Sequence, residues 1–263
     1  MEKLNADLIT ALILTYNEED NIERVLKRLH WLENIIIVDS HSTDRTLEIV
    51  HNYPNVKVYS RAFDTHATQW NYALSLTTSK WILSLDADYI LTDEFVGEMQ
   101  DKLKEDKSAF FTKFKFLVFG KNLLSDNTTP RPVLFKKQDC TYFDDGHTQR
   151  LKINGQTGFF KHPILHDDRK SLSRWVSNQD KYSIKECEKL LSFNNSDAGS
   201  AINKIRRTKI FAPFFVFFYC LFFKGLILNG WTGWYYTLQR TMVEILFALR
   251  MIEQEKLNKK MQD

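Results

Sequence analysis

Residues 81–90 read WILSLDADYI, in which an uncharged, β-prone run (81–85) is followed by two acids separated by an alanine. Three similar apolar runs precede it, at 8–14, 35–38 and 56–59, with amphipathic stretches between them. Short runs of continuous rather than alternating apolarity are typical of strands buried on both faces of a parallel sheet. This part of the chain therefore predicts a βαβαβαβ order, and the protein is predicted to belong to the α/β class.

The segments between these runs carry helix signals. Apolar residues at a 3.6-residue period predict a first helix from about Glu18 to His30. A second helix is predicted to begin near Ser42, with Ser42 or Thr43 as its N-cap. Further helices are predicted over about 68–76, 93–104 and 171–191, and the aromatic segment 108–119 predicts one long strand.

Composition narrows the classes of protein that the chain can belong to. With 263 residues, of which 43% are hydrophobic and 26% charged, it can bury a sizeable core and is not a disordered chain. A net charge of +3 is too balanced for nucleic acid to be the main partner. Cys140, Cys187 and Cys220 lack the spacing of a disulfide framework or a zinc site, which favours a reducing compartment. The first apolar run is short and has no cleavage site, so it predicts a strand rather than a signal peptide.

Polar residues follow three of the predicted strands, at the edge where an open parallel sheet binds its ligands. They are Thr15, Tyr16, Asn17 and Glu18 after the first run, Asp39 after the second, and Asp86 and Asp88 after the fourth. Asp86 and Asp88 repel each other unless protons or a cation intervene, and hard divalent ions prefer such oxygen ligands. The alternative is that strand-end acids are helix caps and solvated turns, an interpretation that suits Asp44 and Asp93.

Four segments resemble, in order and spacing, the donor-binding half of the family-2 glycosyltransferases, whose nucleotide-diphospho-sugar fold is called GT-A. These segments are TYNEEDNIERVL (15–26), IIIVDSHSTDRTLEI (35–49), RAFDTHATQWNYAL (61–74) and WILSLDADY (81–89). Three later segments resemble the branch that contains bacterial lipopolysaccharide-core and other surface-polysaccharide glycosyltransferases. They are DGHTQRLKING (145–155), PILHDDRKSLSRW (163–175) and KGLILNGWTGWYYTLQR (224–240).

The resemblance implies a mostly parallel central sheet flanked by helices, and the transfer of a sugar from a nucleotide donor to an acceptor hydroxyl with inversion. Carried over position by position, it implies donor contacts from Thr15, Tyr16, Asn17, Glu18, Asp39, Ser42, Asp44, Gln69, Asn71 and Asp86. It implies that Asp88 and His166 are ligands of Mn²⁺ or Mg²⁺. A structural histidine bonded to the backbone is the alternative for His166.

The general base is the point where the sequence departs from the family. Many relatives carry a His-Glu pair where this chain has Thr148-Gln149, and an amide cannot act as a base. We therefore expect Asp145 to be the base, and the competing candidates are Asp144, His147, Asp167 and Asp168. We also expect one basic residue to contact the diphosphate or an acceptor phosphate, from the set Arg131, Arg150, Arg169 and Lys170.

Residues 210–223, IFAPFFVFFYCLFF, form an uncharged run that is shorter than the roughly 20 residues of a membrane-spanning helix. Basic residues precede the run and Trp and Tyr follow it, the order expected at a lipid interface. The alternative is a buried helix in a soluble core. We predict a transferase domain over 1–193 and a helical membrane-associating region over 194–263, peripheral or monotopic on the cytoplasmic face of the inner membrane.

The expected function is metal-dependent transfer of a sugar from a nucleotide-sugar donor to a glycan or lipid-linked glycan in cell-surface polysaccharide or lipopolysaccharide synthesis. Transfer to polyprenyl phosphate is one alternative. A nucleotidyltransferase is disfavoured because no Gly-rich phosphate loop lies near the N-terminus. A catalytically decayed membrane-bound scaffold is favoured by the missing His-Glu pair and disfavoured by the intact Asp39, Asp86 and Asp88. The sequence leaves the oligomeric state open.

Overall fold

A computed structural model describes residues 8–125, 129–145, 148–192 and 201–260. The chain divides into two compact units, one of Met1–Gly120 with Asn127–Lys170 and the other of Lys121–Asp126 with Ser171–Asp263. The linker expected at 194–200, next to the predicted domain boundary, lies outside the described residues. The division at 193/194 therefore stays a prediction.

Strands dominate the first unit and helices the second. The strands are β1 (Ile9–Thr15), β2 (Asn34–Asp39), β3 (Val56–Ser60), β4 (Trp81–Asp86), β5 (Tyr89–Ile90), β6 (Ala109–Thr112), β7 (Phe114–Val118), β8 (Lys121–Asn122), β9 (Arg131–Lys136), β10 (Cys140–Asp145), β11 (Thr148–Ile153), β12 (Thr157–Phe159) and β13 (Ile164–His166). The helices are α1 (Ile22–Lys27), α2 (Thr46–Val50), α3 (His66–Ser75), α4 (Asp93–Lys104), α5 (Leu172–Ser192), α6 (Ala201–Arg207), α7 (Phe211–Phe218) and α8 (Trp231–Lys260).

The central sheet has the strand order β12-β6-β9-β4-β1-β2-β3. β1 is parallel to both β2 and β4, β2 is parallel to β3, and β6 is parallel to β12. β9 is inserted antiparallel to β4 and β6. The predicted α/β fold with a mostly parallel central sheet is therefore confirmed.

Burial on both faces explains why the first strand reads as a continuous apolar run. Ile9, Ala11 and Ile13 pack in one cluster with side chains of α1 and α4, while Leu12 packs on the opposite face with side chains of α3. The buried Thr10 hydroxyl is hydrogen-bonded to the hydroxyls of Thr77 and Ser79, so its burial leaves no unpaired polar group. The sheet thus lies between two helical layers.

The register of the sheet brings the strand ends together. Thr15 lies opposite Asp39 in the β1–β2 pair, and Leu14 lies opposite Asp86 in the β1–β4 pair. The polar residues that follow these strands therefore start from one edge of the sheet. This is the edge at which ligands of open α/β sheets bind.

Three of the predicted local elements differ from the structure. α1 spans only Ile22–Lys27, rather than about Glu18 to His30. α2 begins at Thr46 rather than near Ser42, because Ser42 hydrogen-bonds Asp39 and holds the intervening residues as a loop. The single strand predicted over 108–119 breaks at Lys113 into β6 and β7, which lie in different sheets. Aromatic content predicted the extended backbone but carried no signal for the change of sheet.

A second, smaller sheet contains β5, β13 and β7 side by side. β13 runs parallel to β7 and antiparallel to β5, with His166 opposite Tyr89. His166 is thus placed beside the residue that follows Asp88.

The second unit is built on the 30-residue helix α8. Cys187 and Leu190 of α5 pack against Phe247 and Met251 of α8. Arg206 of α6 forms a buried ion pair with Glu244 of α8, with a distance of 3.0 Å between nitrogen and oxygen. Within the described residues, no helix has both the length and the apolarity needed to cross a membrane.

Candidate active site

Asp39, at the end of β2, is the centre of the hydrogen bonds that join the first two strand-end loops. It is completely buried. Its Oδ1 accepts hydrogen bonds from the hydroxyls of Thr15 (2.9 Å) and Ser42 (2.5 Å), and its Oδ2 accepts one from the backbone N–H of Ser42 (2.8 Å). Three of the predicted donor-contact residues are therefore in direct contact with one another.

Asn17 shapes the first loop through its backbone and its side chain. It has φ of 56°, in the left-handed region that Asn tolerates better than most residues. Its N–H donates to the Ser42 hydroxyl (2.7 Å), and its Oδ1 accepts from the backbone N–H of Thr43 (2.7 Å). The neighbouring Tyr16 is 54% exposed, and its donor contact stays a prediction.

Asp44 serves the turn before α2. Its carboxylate accepts hydrogen bonds from the backbone N–H and hydroxyl of Thr46 and from the backbone N–H of Glu19. The Thr46 hydroxyl in turn accepts from the backbone N–H of Glu18 at 2.6 Å. This geometry matches the turn interpretation of Asp44, and its donor contact stays a prediction.

Gln69 and Asn71 of α3 both have protein partners. The buried Gln69 amide donates to the Ser40 hydroxyl and to the Arg61 carbonyl. Asn71 makes two hydrogen bonds with the backbone of Tyr142, at 2.9 and 3.0 Å, which fix β10 against α3. A direct contact with a donor would require either amide to give up one of these partners.

Asp88 and His166, the predicted metal ligands, lie side by side. The His166 Nε2 atom is 3.2 Å from the Asp88 Oδ2 atom, so the imidazole is bonded to a carboxylate rather than to the backbone. Burial disfavours the charged forms of both Asp88 and His166. Nevertheless, the positive charges of His166 and Lys170 hold the pKa of Asp88 well below its usual range, and the Asp88 charge raises the pKa of His166.

The donor set around Asp88 suits a hard divalent cation. Its Oδ1 atom is buried and has no hydrogen-bond partner among the described residues. A carboxylate oxygen and an imidazole nitrogen are ligands that Mn²⁺ accepts, and a carboxylate suits Mg²⁺. No group of three or more His, Cys, Asp or Glu side chains in the described part of the chain could hold a metal ion. The protein would therefore supply two ligands and leave the other positions to water and a diphosphate.

Asp86, the other acid of this tripeptide, ends β4. It is partly exposed, in contrast to the buried Asp88. It is hydrogen-bonded to the side chain of Tyr89, whose pKa is raised well above its usual value by burial and by the Asp86 charge. Asp86 and Asp88 thus face different surroundings, consistent with the different roles that the sequence predicts for them.

Glu18 and Lys170 form a second charged pair close to Asp88. The Lys170 Nζ atom is 3.0 Å from Glu18 Oε1, 3.2 Å from Asp168 Oδ1 and 3.9 Å from Asp88 Oδ2. Burial raises the pKa of Glu18 to about 7, although Lys170 acts to lower it. Lys170 thus lies beside the predicted metal ligand as well as beside the first strand-end loop.

Asn21 and Arg24 of the α1 region complete this site, and the sequence analysis missed both. Asn21 is fully buried and donates to Glu18 and Asp168, at 3.0 and 3.1 Å. Arg24 forms an ion pair with Asp167 at 2.6 Å. Their signal in the sequence is a pair of polar residues interleaved with the buried Ile22 and Val25.

Asp167, one of the competitors for the general base, has a structural role. Its side chain is 2% exposed and is paired with both Arg24 and Arg169, and its Oδ1 accepts from the backbone N–H of Gly120. A carboxylate held by these partners is less suited to accept a proton than an exposed one. The assignment of the general base stays a prediction.

Two other candidates lie at the tip of β10. Asp145 pairs with Arg150 at 2.6 Å, and the neighbouring Asp144 accepts a hydrogen bond from the Ala67 N–H at 3.1 Å. Both acids are at least partly exposed. His147 lies outside the described residues.

The four basic residues considered as phosphate contacts all have partners in the first unit. Arg131 Nη1 lies 3.4 Å from the Tyr89 hydroxyl, and the partners of the others are the carboxylates described above. The Lys170 Nζ atom also lies 3.9 Å from Oδ2 of Asp88, a predicted metal ligand.

The strand order and the acids at the carboxyl ends of its strands define a GT-A type, nucleotide-sugar transferase domain. Residues 10–162 match the family described as "Glycosyl transferase family 2". This match covers more than half of the chain. The chain therefore belongs to glycosyl transferase family 2, which confirms the assignment made from the sequence.

Two relatives illustrate the range of similarity. An uncharacterized glycosyltransferase of Rickettsia bellii is 32% identical over 144 residues, which are 54% of this chain and 47% of that protein. The putative teichuronic acid biosynthesis glycosyltransferase TuaG of Bacillus subtilis is 26% identical over 206 residues, which are 68% of this chain and 77% of that protein. The chain spans less than half the length of the Rickettsia relatives it matches first.

Among solved structures, a crystal structure of S. aureus TarS 1–349 in complex with UDP superposes with a TM-score of 0.49 and 13% identity. The superposition covers 94% of this chain and 91% of that one.

Glu18 gives a testable pH dependence of stability. Its folded-state pKa of about 7 lies above the ordinary value of 4.5, so its contribution to stability is fully present below pH 4.5 and is lost as the pH rises through 7. Between pH 5 and pH 8, the free energy of unfolding of the native protein should fall by about 2 to 3 kcal/mol relative to that of Glu18→Gln. Urea unfolding at both pH values measures this difference.

Glu33→Gln, which alters an exposed glutamate, is the matched control and should follow the native protein at both pH values. An equal change for Glu18→Gln and Glu33→Gln would contradict the pKa assigned to Glu18.

Proposed function

We propose that the protein transfers a sugar from a nucleoside-diphosphate sugar to a hydroxyl of a surface glycan or lipid-linked glycan, with inversion at the anomeric carbon and with Mn²⁺ or Mg²⁺. The observation that carries this proposal is the contact between the buried Asp88 and the partly buried His166, together with the buried Asp88 Oδ1 that has no hydrogen-bond partner among the described residues, next to the loops that follow β1 and β2. A buried carboxylate oxygen without a hydrogen-bond partner is costly unless a cation or another ligand satisfies it.

The residues of this edge divide naturally between the two ends of a donor. Asp39 and its partners Thr15 and Ser42 form a rigid polar wall for the nucleoside, and the partly exposed Asp86 can accept hydrogen bonds from ribose hydroxyls. Asp88 and His166 would hold the divalent cation. When bound, such an ion neutralises the negative charge that develops on a departing diphosphate.

Inversion by direct displacement requires a base at the acceptor hydroxyl but no enzyme nucleophile. We assign this role to Asp145. β10, which ends at Asp145, is fixed to α3 through Asn71, and α3 is fixed to Ser40 through Gln69. The hairpin that carries Asp145 is thus tied to the residue that follows Asp39. Arg150 must release Asp145 before that carboxylate can accept a proton.

The donor and metal assignment is tested by thermal shift with a panel of nucleoside diphosphates and nucleotide sugars, with and without Mn²⁺. At least one nucleotide should raise the melting temperature more with Mn²⁺ than without, because a ligand that binds the native state stabilises it by about 2.7 kcal/mol at 100 times its Kd. Asp88→Asn should lose the Mn²⁺-dependent part of that shift, and Asp101→Asn, at an exposed acid of α4, should keep it. A full shift with Asp88→Asn would rule out this metal assignment.

The assignment of the base is tested with the donor identified in that panel. Asp145→Asn should lower the rate of sugar transfer by roughly 10²- to 10⁴-fold, the usual contribution of a general base, while the Kd of the donor stays unchanged. Asp144→Asn is the matched control, since its carboxylate accepts a backbone hydrogen bond from α3. If Asp144→Asn abolishes transfer and Asp145→Asn does not, the base is Asp144.

The second unit presents a large exposed apolar surface, formed by α7 and by the π-helical turn Tyr219–Phe223 that follows it. Its most exposed aromatic side chains are Phe211, Phe214, Phe215, Phe218, Phe222 and Phe223. A groove of about 500 Å³ runs between α7 and α8, and of its ten lining residues only Thr241 is polar. Exposed apolar surface of this kind marks an interaction site.

We propose that this surface lies on a membrane, as expected from the sequence. Trp231 and Trp234, 53% and 42% exposed, belong to the same unit and are the aromatic side chains preferred at the headgroup level. Of the basic residues that precede the apolar run and were expected to attract a lipid surface, Arg206 and Lys209 form ion pairs with Glu244 and Glu255. Apolar burial, rather than attraction to anionic lipids, should therefore supply most of the affinity.

Co-sedimentation with vesicles tests this surface. The native protein should sediment with vesicles of phosphatidylcholine, with a modest gain when phosphatidylglycerol is added. The triple variant Phe214→Ser, Phe218→Ser and Phe222→Ser should stay in the supernatant, because each change removes roughly 2 kcal/mol of apolar burial. Phe63→Ser, at an exposed phenylalanine of the first unit, is the control. Equal sedimentation of the triple variant and the native protein would contradict the proposal.

A further inference from the structure

The Lys170 ammonium is placed where a cation of the donor site would act. Its side chain is 12% exposed, and its Nζ atom lies within 4 Å of carboxylate oxygens of Glu18, Asp168 and Asp88. Asp88 Oδ2 thus faces Lys170 and His166, while Asp88 Oδ1 is buried and has no hydrogen-bond partner among the described residues.

The segment that carries Lys170 is held rigidly. The Asn21 Oδ1 atom accepts a hydrogen bond from the Arg169 N–H at 3.0 Å, and its Nδ2 donates to Asp168 at 3.1 Å. Arg24 holds Asp167 through its side chain and its carbonyl. The backbone from Asp167 to Arg169 is therefore fixed to the α1 region, and the ion pairs with Glu18 and Asp168 hold the ammonium beside Asp88.

A fixed positive charge at this distance acts on any second cation that approaches the same carboxylate. Two like charges separated by a few ångströms in a partly buried site repel by more than the energy equivalent of a tenfold change in affinity. A bound diphosphate offsets this repulsion between the two cations, since its oxygens can accept hydrogen bonds from a lysine ammonium and can ligate a divalent ion. Binding of the ion and of the diphosphate should then be strongly and reciprocally coupled.

We propose that Lys170 is a tethered counter-cation at the donor site, which makes binding of the divalent cation at Asp88 conditional on the diphosphate of the donor. The inference rests on the proposed function, because it takes Asp88 as a metal ligand. It assigns Lys170 a role in positioning and charge balance and none in the transfer of a proton.

The experiment measures free Mn²⁺ by electron paramagnetic resonance in titrations of the purified full chain, first with Mn²⁺ alone and then with the diphosphate that gives the largest thermal shift. Lys170→Gln removes the charge and keeps a side-chain donor for Glu18 or Asp168, and Lys170→Arg keeps the charge. Lys57→Met, at an exposed lysine of β3, is the control. Circular dichroism melts establish that each variant is folded.

Without nucleotide, Lys170→Gln should bind Mn²⁺ about tenfold more tightly than the native protein, while Lys170→Arg and Lys57→Met should be unchanged. Asp88→Asn in the Lys170→Gln background should abolish this gain. The diphosphate should tighten Mn²⁺ binding less in Lys170→Gln than in the native protein.

Equal Mn²⁺ affinity of Lys170→Gln and the native protein, with affinity still dependent on Asp88, would overturn the role of Lys170 and leave the proposed function standing. Absence of Asp88-dependent Mn²⁺ binding in every variant, with and without diphosphate, would overturn both. If Lys170→Gln does not fold, equal Mn²⁺ affinity of the native protein with and without diphosphate would overturn the inference alone, provided that this affinity depends on Asp88.

Discussion

The need to compensate buried charge shapes the active-site edge of the first unit. Glu18, Asp88 and Asp168 converge on one lysine, and Asp167 is held by two arginines. Carboxylates taken out of water are costly unless they are paired, so this cluster forms only when the strand-end loop and the 166–170 segment are both in place. These ion pairs thus join the strand-end loop to the 166–170 segment.

The sequence predicted the parts of the fold in which local pattern and burial agree. Continuous apolarity predicted β1, β2 and β4 because each of these strands is covered on both faces, and Asp93–Lys104 was predicted with the bounds that α4 has. Predictions from local sequence pattern were wrong where an element depends on contacts with other parts of the chain. Ser42 is a good N-cap by residue type, yet its hydroxyl donates a hydrogen bond to Asp39. No residue type at Lys113 indicates that the chain passes from one sheet to another there.

The candidate site followed the same rule. Residues adjacent to a strand end, such as Asp39 and Asp88, were found from the periodicity of the sheet and from the resemblance to a family. Asn21 and Arg24 were missed because their partners lie more than 140 residues further along the chain. Pairing over such a separation leaves no trace in a single sequence beyond a polar residue on an otherwise apolar helical face.

Main-chain hydrogen bonds, rather than side-chain contacts, place His166 next to Asp88. β13 pairs with β5 so that His166 lies opposite Tyr89, and the Asp167 N–H donates to the Asp88 carbonyl at 3.2 Å. Neither contact depends on what either side chain is. Substitutions at these two positions can therefore change the side chains that meet there while the backbone that aligns them stays the same.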